Sequence, residues 1–149
     1  MTNNNHKEQI LSSLSNIVCE IEKIVNEYLN SFDTDSSFSF SDKEDKQKEF
    51  LKAYKKFSVA LQSRMEQCEQ AAGMISALIC EADNSNEKEL AEILSVHFNN
   101  YVQFSFGVFH FIEMSEKVFL DKGNGSHPIV IVSYTRELLA TIQNYKENI

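Results

Sequence analysis

Phe98–Phe111, FNNYVQFSFGVFHF, places five phenylalanines and one tyrosine in fourteen residues, in a chain with eleven phenylalanines. Its period decides the fold. Tyr101, Phe104, Val108, Phe111, Ile112 and Phe119 recur at the three- and four-residue spacing of one helix face. Val102, Phe104, Phe106 and Val108 also alternate as a half-buried strand would, and Ile129–Val132 is rich in β-branched residues. The helical spacing runs on through both flanks of the segment, and strand pairing would interrupt it, so the helix is the stronger reading. Such a helix is apolar over more than the ~100° stripe that a surface helix needs. It is therefore expected to be buried from two sides or to border an apolar cavity.

The rest of the chain is read as helical too. Ile10, Leu14, Ile17, Ile21, Ile24 and Tyr28 predict a first helix from about His6 to Asn30. Residues 31–42, SFDTDSSFSFSD, break the pattern yet hold Phe32, Phe38 and Phe40, which suggests a loop that tucks aromatics onto the core. Ser41-x-x-Glu44 is a capping box that opens a long helix to about Asp83, with Phe50, Tyr54, Phe57, Leu61, Cys68, Ala71, Ile75 and Leu78 on one face. Asn84-Ser85-Asn86 reads as a turn, and Asn86-x-x-Glu89 as the capped start of the next helix. Asn99-Asn100 offers a break or corner, after which the Phe-dense helix runs to about Lys122 and ends at Gly123-Asn124-Gly125. A last helix starts at Ser126 or His127, with Pro128 in its first turn. The expected class is an all-α helical bundle in a single domain, residues 1–149.

Composition narrows the function. With 149 residues, four glycines and one proline, the chain suits long helices around one core. Its formal charge is −8, with the acidity heaviest in the first 42 residues, which makes nucleic acid an unexpected partner. Three cysteines without CxxC spacing (Cys19, Cys68, Cys80) favour a reducing compartment. No signal-peptide core or membrane-span run is present in the sequence, and the expected location is cytoplasmic.

No constellation for catalysis is visible. His97 and His110 point in different directions on one helix, and the paired Glu-x-x-His sets of di-iron bundles are absent, so no metal is expected. His97 lies in an apolar stripe, without the small and basic neighbours of a phosphotransfer histidine. Arg64 falls within the core stripe between Leu61 and Cys68. Each has an ordinary reading, His97 as a hydrogen-bonded core histidine and Arg64 as a helix-edge residue with its head in water. Together they also suggest an anion site in an apolar layer, because a buried charge must be paired. A carboxylate on an apolar tail would satisfy both features.

Glu89-Leu90-Ala91-Glu92-Ile93-Leu94-Ser95-Val96-His97 resembles a globin F helix ending at its proximal histidine. Phe98-Asn99-Asn100 would be the following corner, Tyr101–Lys122 the G helix, Pro128–Lys146 the H helix, and Cys68 would fall near the distal position. The likeness spans about residues 45–149. No distal histidine stands there, no proline separates the first helix from the E-like helix, and Glu69 occupies a place where globins often keep glycine. With so many phenylalanines available to fill a haem pocket, the chain resembles the non-haem globin sensor domains of stressosomes and of sporulation-kinase inhibitors. That resemblance implies a globin-like fold, a homodimer, an apolar tunnel for a fatty acid with an anion such as chloride nearby, and action on a histidine-kinase pathway. The ligand is then expected against Arg64, His97, Tyr101, Phe98, Phe104, Phe50 and Cys68, of which Arg64 and His97 are a physical inference rather than a motif match. Two alternatives stand beside it. One is a haem-binding globin with His97 as axial ligand. The other is a ligand-free helical-bundle interaction protein, such as an immunity protein, chaperone or effector, whose acidic surface meets a basic partner.

Overall fold

A computed structural model describes residues 2–34, 44–120 and 127–148 of the chain. Four helices fill it: α1 (Thr2–Thr34), α2 (Glu44–Asn84), α3 (Lys88–Leu120) and α4 (His127–Glu147). Each packs on the next, and α1 packs on α4, closing a four-helix bundle. No strand occurs among the described residues. Phe38, Phe40, the Ser41 half of the capping box and the Gly123–Gly125 stop lie outside them.

Ring contacts give the direction of each helix. Phe32 near the end of α1 meets Phe50 near the start of α2, and Tyr28 stacks on Phe57 at 4.2 Å with the planes 5° apart. Phe50 and Tyr54 in turn meet Phe119 near the end of α3, and Phe57 meets Phe111. Phe104 meets Tyr145, and further along α3 Gly107 meets Thr141, earlier in α4, which sets α4 antiparallel to α3. The order is up, down, up, down. α1 runs four residues beyond the predicted Asn30, because Phe32 packs edge-on to Tyr28 at 5.1 Å and is partly buried against the core. Tertiary contact outweighs the weak propensity of Ser31 there.

The α2–α3 connection is the tightest described. Glu87 N donates to Ala82 O at 2.8 Å and Asn86 N to Asp83 O at 3.3 Å, the paired bonds of a Schellman closure. Asn86 has φ 60°, the left-handed conformation that asparagine tolerates. Asn86 thus closes α2 rather than capping α3, whose first turn starts from Glu87 O accepting the Ala91 N–H.

The second difference is larger. α3 passes through Asn99-Asn100 without a break, so the short helix, corner and long helix implied by the globin likeness are one 33-residue helix. Asparagine costs a helix interior only ~0.7 kcal/mol. Leu94 and Tyr101, buried on either side of the pair, hold the backbone helical across it.

Close packing of α3 on α4 depends on Gly107. A Cβ built there would lie 2.6 Å from Thr141 Cγ2 and 3.3 Å from its Oγ1, and the hydroxyl is tied to Glu137 O. Gly107→Ala is therefore expected to destabilise by ~1–2 kcal/mol despite alanine's better propensity. Adding Thr141→Ala should recover most of that loss in urea melts. At Gly73 nothing lies within 4 Å of a built Cβ, and Gly73→Ala should stabilise by ~0.5–1 kcal/mol.

Candidate functional site

Two kinds of side chain fill the interior. Toward the end of α1, the rings of Tyr28, Phe32, Phe50, Tyr54, Phe57, Phe111 and Phe119 form one aromatic layer with centroid separations of 4.2 to 6.5 Å. Its phenols are desolvated, and burial raises the pKa of both Tyr28 and Tyr54. Tyr54 donates to Ile112 O at 3.4 Å, with the Ser58 and Ser115 hydroxyls close by.

Toward the other end, α2, α3 and α4 contribute Cys68, Tyr101 and Tyr145 to a second layer. These three lie close enough for each ionisation to oppose the others, and Phe104 stacks on Tyr145 at 4.8 Å. Tyr101 is 4 % exposed and Tyr145 3 %, yet neither hydroxyl has a hydrogen-bond partner in the protein. Burial pushes the Cys68 thiol up to about 12, aided by Glu69 and Glu20, so it is an inert thiol at neutral pH. Cys19 and Cys80 are exposed.

One turn from Tyr101 on the same face of α3 lies His97, half-buried, with Nδ1 unpartnered. Burial lowers its pKa, Lys7 of α1 lowers it further, and Glu8 opposes them.

Of the residues singled out from sequence, Cys68, Tyr101 and Phe104 come together, with His97 adjacent on α3. Phe98 is partly buried against the core, while Phe50 belongs to the aromatic layer. Arg64 has a different neighbour from His97. Its Nε lies 3.3 Å from Glu20 Oε2 on α1, out of line for a hydrogen bond, with side chains 34 % and 58 % exposed. Such a pair contributes ~0–1 kcal/mol. Spacing could not identify Glu20, Lys7 or Tyr145 as partners, because all three reach the site from other helices.

The side chains beside His97 do not fit a haem. The interior next to it is occupied by Tyr101 and Phe104, ring centroids 6.2 Å apart, and by Tyr145 on Phe104. No three His, Cys, Asp or Glu side chains converge on a metal position among the described residues. None of the described helices is long and apolar enough to cross a membrane.

The outer face of α3 carries what the sequence reading missed. Phe106 is 68 % exposed and Phe109 43 %, and half-buried Val102 lies one turn before Phe106. Their spacings of four and three residues make one apolar row turned away from the core. The signal was present in the helical period, since these positions fall off the stripe of Tyr101, Phe104, Val108 and Phe111. No family model, curated protein or solved structure matches the chain.

The lowered pKa of His97 gives a pH dependence with a definite sign. The unfolded imidazole binds its proton near pH 6.5, above the folded one, so stability rises with pH between the folded pKa and ~6.5. As pH falls below ~6.5, the native chain should lose stability to a greater extent than His97→Gln, measured by urea denaturation across pH 5 to 8.

Proposed function

We propose that the chain is a non-catalytic interaction module that engages another protein through the outer face of α3. The observation that supports this is the pair Phe106 and Phe109, exposed on a helix whose inward stripe is already filled. Two neighbouring phenylalanines left in water gain nothing for the fold. Each would contribute ~1.5–3 kcal/mol once covered. Val59 and Met74 on α2 are exposed fifteen residues apart, and the exposed pair Ile93 and Val96 on α3 is aliphatic and smaller than the two phenylalanines. Of the alternatives raised by the sequence, this corresponds to the helical-bundle interaction protein. It needs no cofactor.

A photo-crosslinking phenylalanine analogue at position 106, expressed in the native cells, should give one discrete protein adduct. The adduct should vanish when Phe109→Gln is added, and the same analogue at exposed Lys52 should give none. No adduct at 106, or the same adduct at 52, would count against the face.

A second reading keeps the small apolar acid that the globin-like resemblance implies. One observation favours it: the unpartnered hydroxyls of Tyr101 and Tyr145, near His97 and Lys7. Two phenols are donors for a carboxylate, and the lysine supplies charge. If an acid binds there, native mass spectrometry will find it retained by the wild type and lost from Tyr101→Phe/Tyr145→Phe. Purely structural phenols would leave both proteins with the same mass balance and little change in melting.

A further inference from the structure

Helix lengths leave one end of the bundle short of α4. Phe104 lies against Tyr145 and Gly107 against Thr141, so each step back along α3 meets a step forward along α4. That register sets Glu147, the last residue of α4, near Val102. Among the described residues, α3 from Lys88 to Tyr101 therefore runs on without α4 for about 20 Å. Ile93 and Val96 are exposed on this overhang, while Leu94 is buried and His97 half-buried, covered from the remaining helices. α1 reaches His97 across the bundle, since Lys7 and Glu8 are the charges that act on it.

This part of α1 is weakly held. Between Asn5 and Ser13 only Lys7, Ile10 and Leu11 are other than exposed, and the first buried residue after them is Leu14. Asn3, Asn4 and Asn5 are poor helix formers, so the first turns depend on the contacts of two partly buried aliphatic side chains. His97 sets a condition on that contact. Its Nδ1 is buried without a hydrogen-bond partner, which a neutral ring tolerates as an unused acceptor. Protonated, the same nitrogen becomes a donor with nothing to receive its hydrogen, on a cation close to the ammonium of Lys7. Glu8 opposes this, but it is exposed and lies 3.7 Å from Lys7. The other groups on that side bring no compensating charge. Tyr101 of α3, Cys68 of α2 and Tyr145 of α4 are neutral from pH 5 to 8, and exposed Glu69 acts on Tyr101. Glu92 is exposed about 140° round α3 from His97.

We propose that residues 2–13 of α1 form a pH-released arm, docked over the α3 overhang while His97 is neutral and detached when His97 takes up a proton. Release hydrates the imidazolium, separates it from Lys7 and uncovers the core surface against which Ile10 and Leu11 lie. The buried imidazole holds its proton less tightly than the free side chain, so a fall in pH below ~6.5 favours the released form. At pH 5 this raises the released population by at most about thirtyfold.

Amide hydrogen exchange of the full chain between pH 7.5 and 5.0, corrected for the intrinsic pH dependence of exchange, tests the arm. Amides from Gln9 to Ser13 should be far less protected than those of Leu61 and Phe104, and so report local release rather than global unfolding. Their protection should fall several-fold over this range. His97→Gln should abolish the fall although exposed His6 remains in place, and Lys7→Gln should reduce it. Arm protection that ignores pH would overturn the proposal, because His97 would then stay covered when α1 frays. An equal fall in His97→Gln would overturn it by assigning the effect to another group, and protection equal to the core would mean that the arm opens only with the whole fold. If His97→Gln does not fold, the wild type and Lys7→Gln decide between them, and identical pH profiles would overturn the proposal.

Discussion

A straight helix has one inward stripe, and α3 carries more apolar side chains than that stripe can take. Leu94, Tyr101, Phe104, Val108, Phe111 and Ile112 fill it. Phe106 and Phe109 cannot join them without a kink or a local turn of the backbone, and α3 has neither. Gly107, between them, presses against Thr141 and holds α3 to α4 at a distance that leaves no room for a side chain. The rigid inward contact and the exposed aromatic face thus follow from the same few residues. The rest of the bundle is arranged around this helix, since α2 and α4 both pack on it and α1 closes the ring through them.

The two ends of the interior differ in chemistry. The aromatic layer is dense in ring contacts and Tyr54 finds a carbonyl, while the buried Tyr28 hydroxyl has no partner in the protein. Such ring pairs contribute ~0.5–1.5 kcal/mol beyond their burial. The Cys68–Tyr101–Tyr145 layer has fewer rings and two buried hydroxyls without a partner, those of Tyr101 and Tyr145. Hydroxyls buried without a partner cost ~1–3 kcal/mol each, a cost that falls on both layers and more heavily on this one. Lys146 and Gln143 bond to Glu22 across α1 and α4, tying the end of α4 in place beside Tyr145.

Where a local rule decided the outcome, the sequence was readable. The helical class, the turn near Ser85 and the start of the last helix near His127 follow from period and punctuation, and the structure agrees with them. Asn86 ends α2 instead of starting α3, because a capping pattern and a left-handed C-terminal asparagine look alike in sequence until φ is known. Asn99-Asn100 differs for a related reason: a mild propensity penalty resembles a corner in sequence, whereas burial on both sides carries the helix through. The globin-like segmentation depended on that corner. The neighbours of Arg64 and His97 were out of reach, since Glu20 and Lys7 come from a different helix and only the packing brings them there. The exposed row lay within reach of the same spacing that revealed the core.

The central claim is that α3 turns Phe104 and Phe111 inward and Phe106 and Phe109 outward. Solvent paramagnetic relaxation of the phenylalanine ring protons by a soluble gadolinium chelate measures it directly. Phe106 and Phe109 should relax strongly, while Phe104 and Phe111 stay protected. Protection of all four rings would place the aromatic row inside the protein and contradict the account.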